Sequence, residues 1–278
     1  SPMSSEISQE DYRAFKEFLQ QSSGILLGEN KQYLVKSRLR RIMAENRFSN
    51  LGELVEQLRR NPRGPLPETV IDAMTTNETL WFRDTHPFRI LEEKLLPEAA
   101  QAPGSQPLRI WSAACSTGQE PYSIAMVIDE FRRRNPGKLR RPVEIVATDV
   151  SKPVIEAARQ GEYELLALGR GLSADRQKQY FHQKPSGSWQ VRKEIRDMVS
   201  FREHNLLERF NLGQFDVVFC RNVLIYFSSE LKQDILIRTH GVLKKGGYLI
   251  LGASESLNSL NQYYEMVQCR PGIIYRAK

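Results

Sequence analysis

The sequence predicts an α/β protein: a mostly parallel sheet closed by a C-terminal antiparallel hairpin, carrying a small β insertion and preceded by an all-helical N-terminal domain. Three observations predict it. Helical periodicity fills residues 8–58, short apolar runs then alternate with amphipathic helices, and the last runs fold back at Pro271-Gly272.

The elements follow in order. Ser8 is a suitable N-cap for "SQEDYRAFKEFLQQSSG", whose Tyr12, Phe15, Phe18 and Leu19 form an apolar stripe ending near Gly24. "KQYLVKSRLRRIMAEN" puts Val35, Leu39, Ile42 and Met43 on one face, and "NLGELVEQLRR" completes a helical domain expected over residues 6–66. "NPRGPLPE" (61–68) crowds Pro62, Gly64, Pro65 and Pro67 together and reads as a linker. A second domain is expected over 75–278. In it "LRIWSAA" (108–114), "VEIVATD" (143–149), "FDVVFCRN" (215–222) and "YLILGAS" read as strands, separated by "PYSIAMVIDEFRRR", "KPVIEAARQ" and "SSELKQDILIRTHGVLKKGG" as helices. Strands separated by helices imply a parallel sheet covered on both faces. "EMVQCRPGIIYRA" reads as the closing hairpin, and 161–200, with β-like pieces around a Pro-Ser-Gly turn, as the insertion.

Composition narrows the function. The hydrophobic fraction of 40% is ordinary for a globular chain, no window approaches the ~20 apolar residues of a membrane span, and nothing reads as a signal peptide. Cys115, Cys220 and Cys269 are widely spaced, without a CxxC pair or nearby histidines. No disulfide framework and no metal site are expected, and a reducing cytoplasm is the expected setting. The net charge of +7 suits an acidic partner, nucleic acid or protein.

Three stretches carry chemistry. "AACSTGQEPYS" (113–123) follows the first strand and opens a helix, where α/β sheets hold ligands. Its small residues Ala114, Ser116 and Gly118 admit a ligand near the backbone, and it lacks the GxGxxG fingerprint. Glu120 is a poor neighbour for pyrophosphate and suits a cationic group such as an α-amino or sulfonium group; the alternative is a plain strand-to-helix loop. Asp149, ending the second strand, is placed to accept ribose hydroxyls, the alternative being an N-cap for the helix near Pro153. "FDVVFCRNVLIYF" is expected to deliver Arg221, Asn222 and Tyr226 to the same carboxyl edge, although Tyr226 and Phe227 also read as core aromatics. The polar run "TTNETLWFRD" (75–84) ends in Trp81, Phe82 and Arg83, as a loop packed on something does.

At "TTNETLWFR", "WSAACSTGQEPYS", "VATDVS", "EHNLL", "CRNVLIYF" and "LKKGGYLILGASES", in that order, the chain resembles the CheR family of chemotaxis receptor glutamate methyltransferases. The resemblance implies a class I methyltransferase-like fold and S-adenosylmethionine as cofactor, with S-adenosylhomocysteine as product. It implies cofactor contacts at Asn77, Thr79, Arg83, Glu120, Asp149, Asn205, Leu206, Arg221 and Asn222, with Arg83 and Tyr226 positioning the reacting groups. "TTNETLWFR" becomes a cofactor lid anchored by Trp81 and Phe82. Trp81 stands where phenylalanine is usual in relatives, and Gln119 where glutamate is frequent.

The implied partner is the methylation helices of a chemoreceptor's cytoplasmic region, docked on the basic N-terminal helix through Arg38 and Arg41. The implied enzyme is a cytoplasmic monomer associated with receptor arrays, without membrane insertion. The insertion resembles the family's β-subdomain, and its compact "QKPSGSW" turn argues against strong binding of a receptor tether. Two rivals remain: a methyltransferase of nucleic acid, disfavoured because the cations lack interleaved aromatics that stack bases, and a non-catalytic S-adenosylmethionine sensor.

Overall fold

Local signals set the N-terminal helices. In the computed structural model, which describes residues 6–75, 79–257 and 259–278, helix α1 (Gln9–Ser23) starts where the Ser8 hydroxyl accepts the Asp11 N–H at 3.0 Å. It stops at Gly24, whose left-handed φ of 75° no side chain opposes. Tyr12, Phe15, Phe18 and Leu19 are buried along it. Helices α2 (Gln32–Glu45) and α3 (Leu51–Arg60) follow, α3 capped by Asn50.

The second half of the expected linker is instead the start of helix α4 (Pro65–Met74), and the boundary expected at residue 66 falls inside it. Proline in the first turn has its φ already set and lacks only an N–H that the helix leaves unused there. Val70, Ile71 and Met74 are buried, so an apolar face made the prolines a helix start. The Arg38 guanidinium donates to the carbonyls of Thr75 (2.7 Å) and Ala73 (3.4 Å), satisfying acceptors that a helix end leaves open.

The described residues fall into two units, the N-terminal helices with Leu224–Lys232 and the remainder. The second unit begins with helix α5 (His86–Ile90), a π turn (Leu91–Leu95) and α6 (Leu96–Gln101), which no reading of the sequence above anticipates. Strand β1 (Leu108–Ser112), helix α7 (Gln119–Arg134), β2 (Val143–Asp149) and α8 (Lys152–Gln160) come next. The insertion holds β3 (Glu162–Tyr163), α9 (Leu165–Leu168), α10 (Ala174–Tyr180), β4 (Phe181–Gln183), β5 (Trp189–Val191) and α11 (Lys193–Arg196). Then follow β6 (Val199–Glu203), β7 (Phe215–Cys220), a 3-10 turn (Leu224–Tyr226), α12 (Ser229–Val242), β8 (Leu243–Leu251), β9 (Tyr264–Gln268) and β10 (Ile273–Ala277).

The main sheet has the order β6-β2-β1-β7-β8-β10-β9. From β6 to β8 every pair is parallel; β10 runs antiparallel between β8 and β9. The three insertion strands form a separate antiparallel sheet, β3-β5-β4. Residues 199–200, read above as part of the insertion, instead begin β6 of the main sheet, whose Val199 lies opposite Ile145. Only Phe201 of β6 is buried, so its edge position left no apolar run to read.

Candidate active site

The strand order reverses between β1 and β7, and at such a switch point the loops beyond the carboxyl ends part into a crevice. Four segments meet there. Ser112, the last residue of β1, donates its hydroxyl to Glu120 Oε1 at 2.8 Å, and Glu120 Oε2 accepts from Arg221 Nη1 at 3.2 Å. Arg221 follows β7 directly, its side chain 1% exposed. Its Nη2 donates to Asp84 Oδ2 (2.8 Å) and to the carbonyl of Arg83 (2.9 Å). One guanidinium thus ties the stretch after Trp81 to the first turn of α7.

Asp149, at the end of β2, accepts the Ser116 N–H at Oδ2 (2.9 Å) and the Ser151 N–H at Oδ1 (3.2 Å). Ser151, not Asp149, caps α8, so the N-cap alternative for Asp149 is overturned. Each Asp149 oxygen keeps a lone pair for a further donor. Burial pushes the Asp149 carboxyl above the ordinary carboxylate range, against the N–H groups of Ser151, Ser116 and Val150. Burial likewise raises Glu120, opposed by Arg221, by the Ser112 hydrogen bond and by Arg83. Cys115 is driven well upward by burial and then by Asp149 and Glu120, which leaves it a neutral thiol unsuited to attack.

The backbone at this edge is bent hard. Phe82, Asp84, Thr85, Ser116 and Asn222 all have φ between 50° and 66°. Non-glycine residues hold such angles only where their surroundings over-determine them, and they gather at functional sites. At Asn222 the N–H donates to Glu255 Oε1 (2.6 Å), which also accepts the Gly252 N–H (2.8 Å). Gly118 is glycine for its own packing: at φ 103° a Cβ there would stand 3.0 Å from both Tyr122 and Tyr163.

The aromatic end of the polar stretch is anchored as expected. Trp81 is 1% exposed, meets Tyr163 and Phe181 edge-on, and donates its N–H to the Arg170 carbonyl (2.9 Å). Its indole N–H reaches the Ala167 carbonyl at 3.2 Å, a bond phenylalanine cannot make. Phe82 lies under the Arg176 guanidinium, and its N–H donates to Ser123 Oγ.

Comparison with known proteins decides the family. Residues 10–75 match "CheR methyltransferase, all-alpha domain" and 77–273 match "CheR methyltransferase, SAM binding domain". The chain belongs to the CheR methyltransferase family. It is 59% identical over 269 residues to "Chemotaxis protein methyltransferase 1" of Pseudomonas aeruginosa, covering 96% of this chain and 98% of that one. Identity to "Chemotaxis protein methyltransferase Cher2" of Pseudomonas putida is 57%, over the same shares. Against "Chemotaxis protein methyltransferase" of Salmonella typhimurium it is 35%, covering 94% and 88%. This CheR-family chain is accordingly a methyltransferase of chemotaxis with the class I fold, and its cofactor is S-adenosylmethionine.

The edge fits such a ligand, which carries a carboxylate, an ammonium and a sulfonium. Arg221 Nε is buried and finds no acceptor among the described residues. Arg221 itself is bonded to two carboxylates, Asp84 and Glu120, an excess of negative charge that suits a cation. Among the described residues no group of three metal-ligating side chains gathers.

Of the residues singled out from sequence, the fold brings Arg83, Glu120, Asp149, Arg221 and Asn222 to this edge. Asn205 turns its amide oxygen to the Leu207 N–H (2.9 Å), and Leu206, buried, gives its carbonyl to Arg238 of α12. Thr79 is half-buried two residues before Trp81; Asn77 lies outside the described residues. Tyr226 sits in the 3-10 turn, grouped with the helical unit, where its carbonyl accepts the Leu26 N–H at 2.6 Å. Arg41 is 89% exposed and pairs with Glu45. Three contributors went unread: Ser112, Asp84 and Glu255. Asp84, adjoining Arg83, carried a visible signal as a carboxylate in an aromatic-flanked loop; the others look like ordinary strand-end and loop residues.

Proposed function

We propose that this CheR-family enzyme methylates glutamate side chains on the cytoplasmic helices of chemoreceptors, forming glutamate methyl esters. The observation that carries the reading is the Asp84–Arg221–Glu120 chain beside Asp149 at the switch point. When bound, S-adenosylmethionine supplies a methyl group on a sulfonium, which a carboxylate oxygen accepts while the sulfur departs as a neutral thioether. The protein's residues supply the rest. Asp149 accepts the ribose hydroxyls, Glu120 and the free Nε of Arg221 hold the amino-acid end, and Thr79, Asn205, Leu206 and Asn222 line the pocket. Arg83 orients the acceptor carboxylate and Tyr226 gives it a weaker, directional hydrogen bond.

No general base is needed, because a glutamate of ordinary pKa, about 4.3, is already ionised at neutral pH. Alignment and exclusion of water are what remain for the site to provide. The exposed Arg41 offers an acidic helix its charge; Arg38, already bonded to the end of α4, adds a fixed positive charge beside it. A cytoplasmic setting follows from such a substrate, and no helix among the described residues is long and apolar enough to cross a membrane.

The test is incubation with methyl-labelled cofactor and either receptor cytoplasmic fragments or RNA. Label on the receptor, released as methanol by mild base, is expected. Base-stable label, label on RNA, or none on receptor would overturn the substrate assignment.

A further inference from the structure

The loop after β8 holds a carboxylate that no step above uses. Strands β7 and β8 are parallel neighbours, with Cys220 opposite Leu251. Just beyond, their chains must part, and a single atom, Glu255 Oε1, accepts an N–H from each: Asn222 at 2.6 Å and Gly252 at 2.8 Å. Hydrogen bonds from amides to a carboxylate are about twice as strong as those to a neutral acceptor. The pocket is also closed around that atom. A Cβ on Gly252 would lie 2.6 Å from both Glu255 Oε1 and Asn222 Oδ1 and 2.9 Å from the Asn222 backbone nitrogen, so a side chain there would have to displace the carboxylate. Asn222 meanwhile holds a φ of 62°, in the left-handed region that asparagine enters more readily than most residues. Its neighbour Arg221 is the residue whose guanidinium must be aimed at Glu120 and Asp84 while leaving Nε for the ligand.

We infer that Glu255 is a positioning residue for cofactor binding: its carboxylate pins the left-handed turn at Asn222 and thereby sets the direction of Arg221. The inference rests on the reading of this edge as the cofactor site. Glu255 does not need to touch the ligand. What it contributes is an acceptor oxygen at one place, which glutamine can also supply and alanine cannot.

Calorimetric titration of the full chain with S-adenosylhomocysteine tests this, beside amide exchange by NMR and a thermal melt. Wild-type protein comes first, since failure of the wild type to bind would remove the cofactor site itself. Glu255→Ala is expected to weaken binding about tenfold or more, the scale of a lost charged hydrogen bond. Exchange of the Asn222 and Gly252 amides should quicken while strands β1 and β2 stay protected. Glu255→Gln should recover most of the affinity, and in turnover the cofactor KM should move and kcat should not. Wild-type affinity in Glu255→Ala overturns the inference. So does a glutamine variant as weak as alanine, because geometry of the acceptor would then not be the cause. If the alanine variant fails to fold, the glutamine variant and its two amides decide.

Discussion

Replacing Arg221 by methionine keeps most of the buried stem and removes the guanidinium. Arg221→Met removes the partner that stands 3.2 Å from Glu120 Oε2 and leaves the carboxylate its Ser112 hydrogen bond at 2.8 Å. It also frees Asp84 and the Arg83 carbonyl. Breaking a buried pair by removing one partner costs about 3–5 kcal/mol. The lower end applies here, because the Glu120 and Asp84 side chains keep 16% and 33% of their exposure and so some water. At about 2–4 °C per kcal/mol for a domain of this size, a fall of about 6–12 °C in Tm is expected. The loss must also depend on pH. The Glu120 carboxyl stands above its ordinary range, with burial raising it and Arg221 foremost among the groups that lower it. Below the unfolded pKa the group is protonated in both states and carries no penalty. As pH rises through the window between the unfolded and the raised folded value, the unfolded chain ionises first and the folded state loses stability. Without Arg221 that window extends upward, so the variant's deficit should be larger near pH 8 than near pH 5. Urea melts of the ligand-free protein at both pH values measure it. A deficit under about 1 kcal/mol, or one equal at both pH values, would refute the pairing argument.

Three further outcomes are expected. Asp149→Ala should weaken S-adenosylhomocysteine binding by about 1–3 kcal/mol in calorimetry, since it strands the ligand's hydroxyls, and should leave α8 capped by Ser151; undiminished affinity removes the ribose role. Arg41→Glu should raise the receptor KM at low salt and much less at high salt, with cofactor affinity unchanged, because exposed charges act through encounter and are screened beyond about 8 Å at physiological ionic strength; identical kinetics at every salt concentration would leave Arg41 a solvated charge. Gly171→Ala should destabilise the protein by more than about 1 kcal/mol, because φ is 105° and the new Cβ would lie 2.2 Å from the Trp81 carbonyl oxygen; a wild-type Tm would show that the backbone there can yield.

Much of this molecule is written locally. Ser8 and Gly24 bracket α1 because a hydroxyl three residues from an N–H, and a residue without Cβ, act within one turn. "VEIVATD" is strand from Val143 to Asp149, since a run of apolar and β-branched residues needs only neighbours to cover it. The ordered motifs were likewise enough to point to the family. Tertiary structure alone decided the rest. Pro65 opens a helix instead of extending a linker because Val70, Ile71 and Met74 find a core. "VSFRE" becomes an edge strand because β2 offers it a ladder. Arg38 turns to the end of α4, and Tyr226 is carried with the helical unit. Arg221 chose Asp84 and Glu120, partners more than a hundred residues away, and Glu255 closed on Asn222. Periodicity and capping reach only a few residues along the chain, whereas a buried charge takes its partner from whichever strand end the sheet order sets beside it.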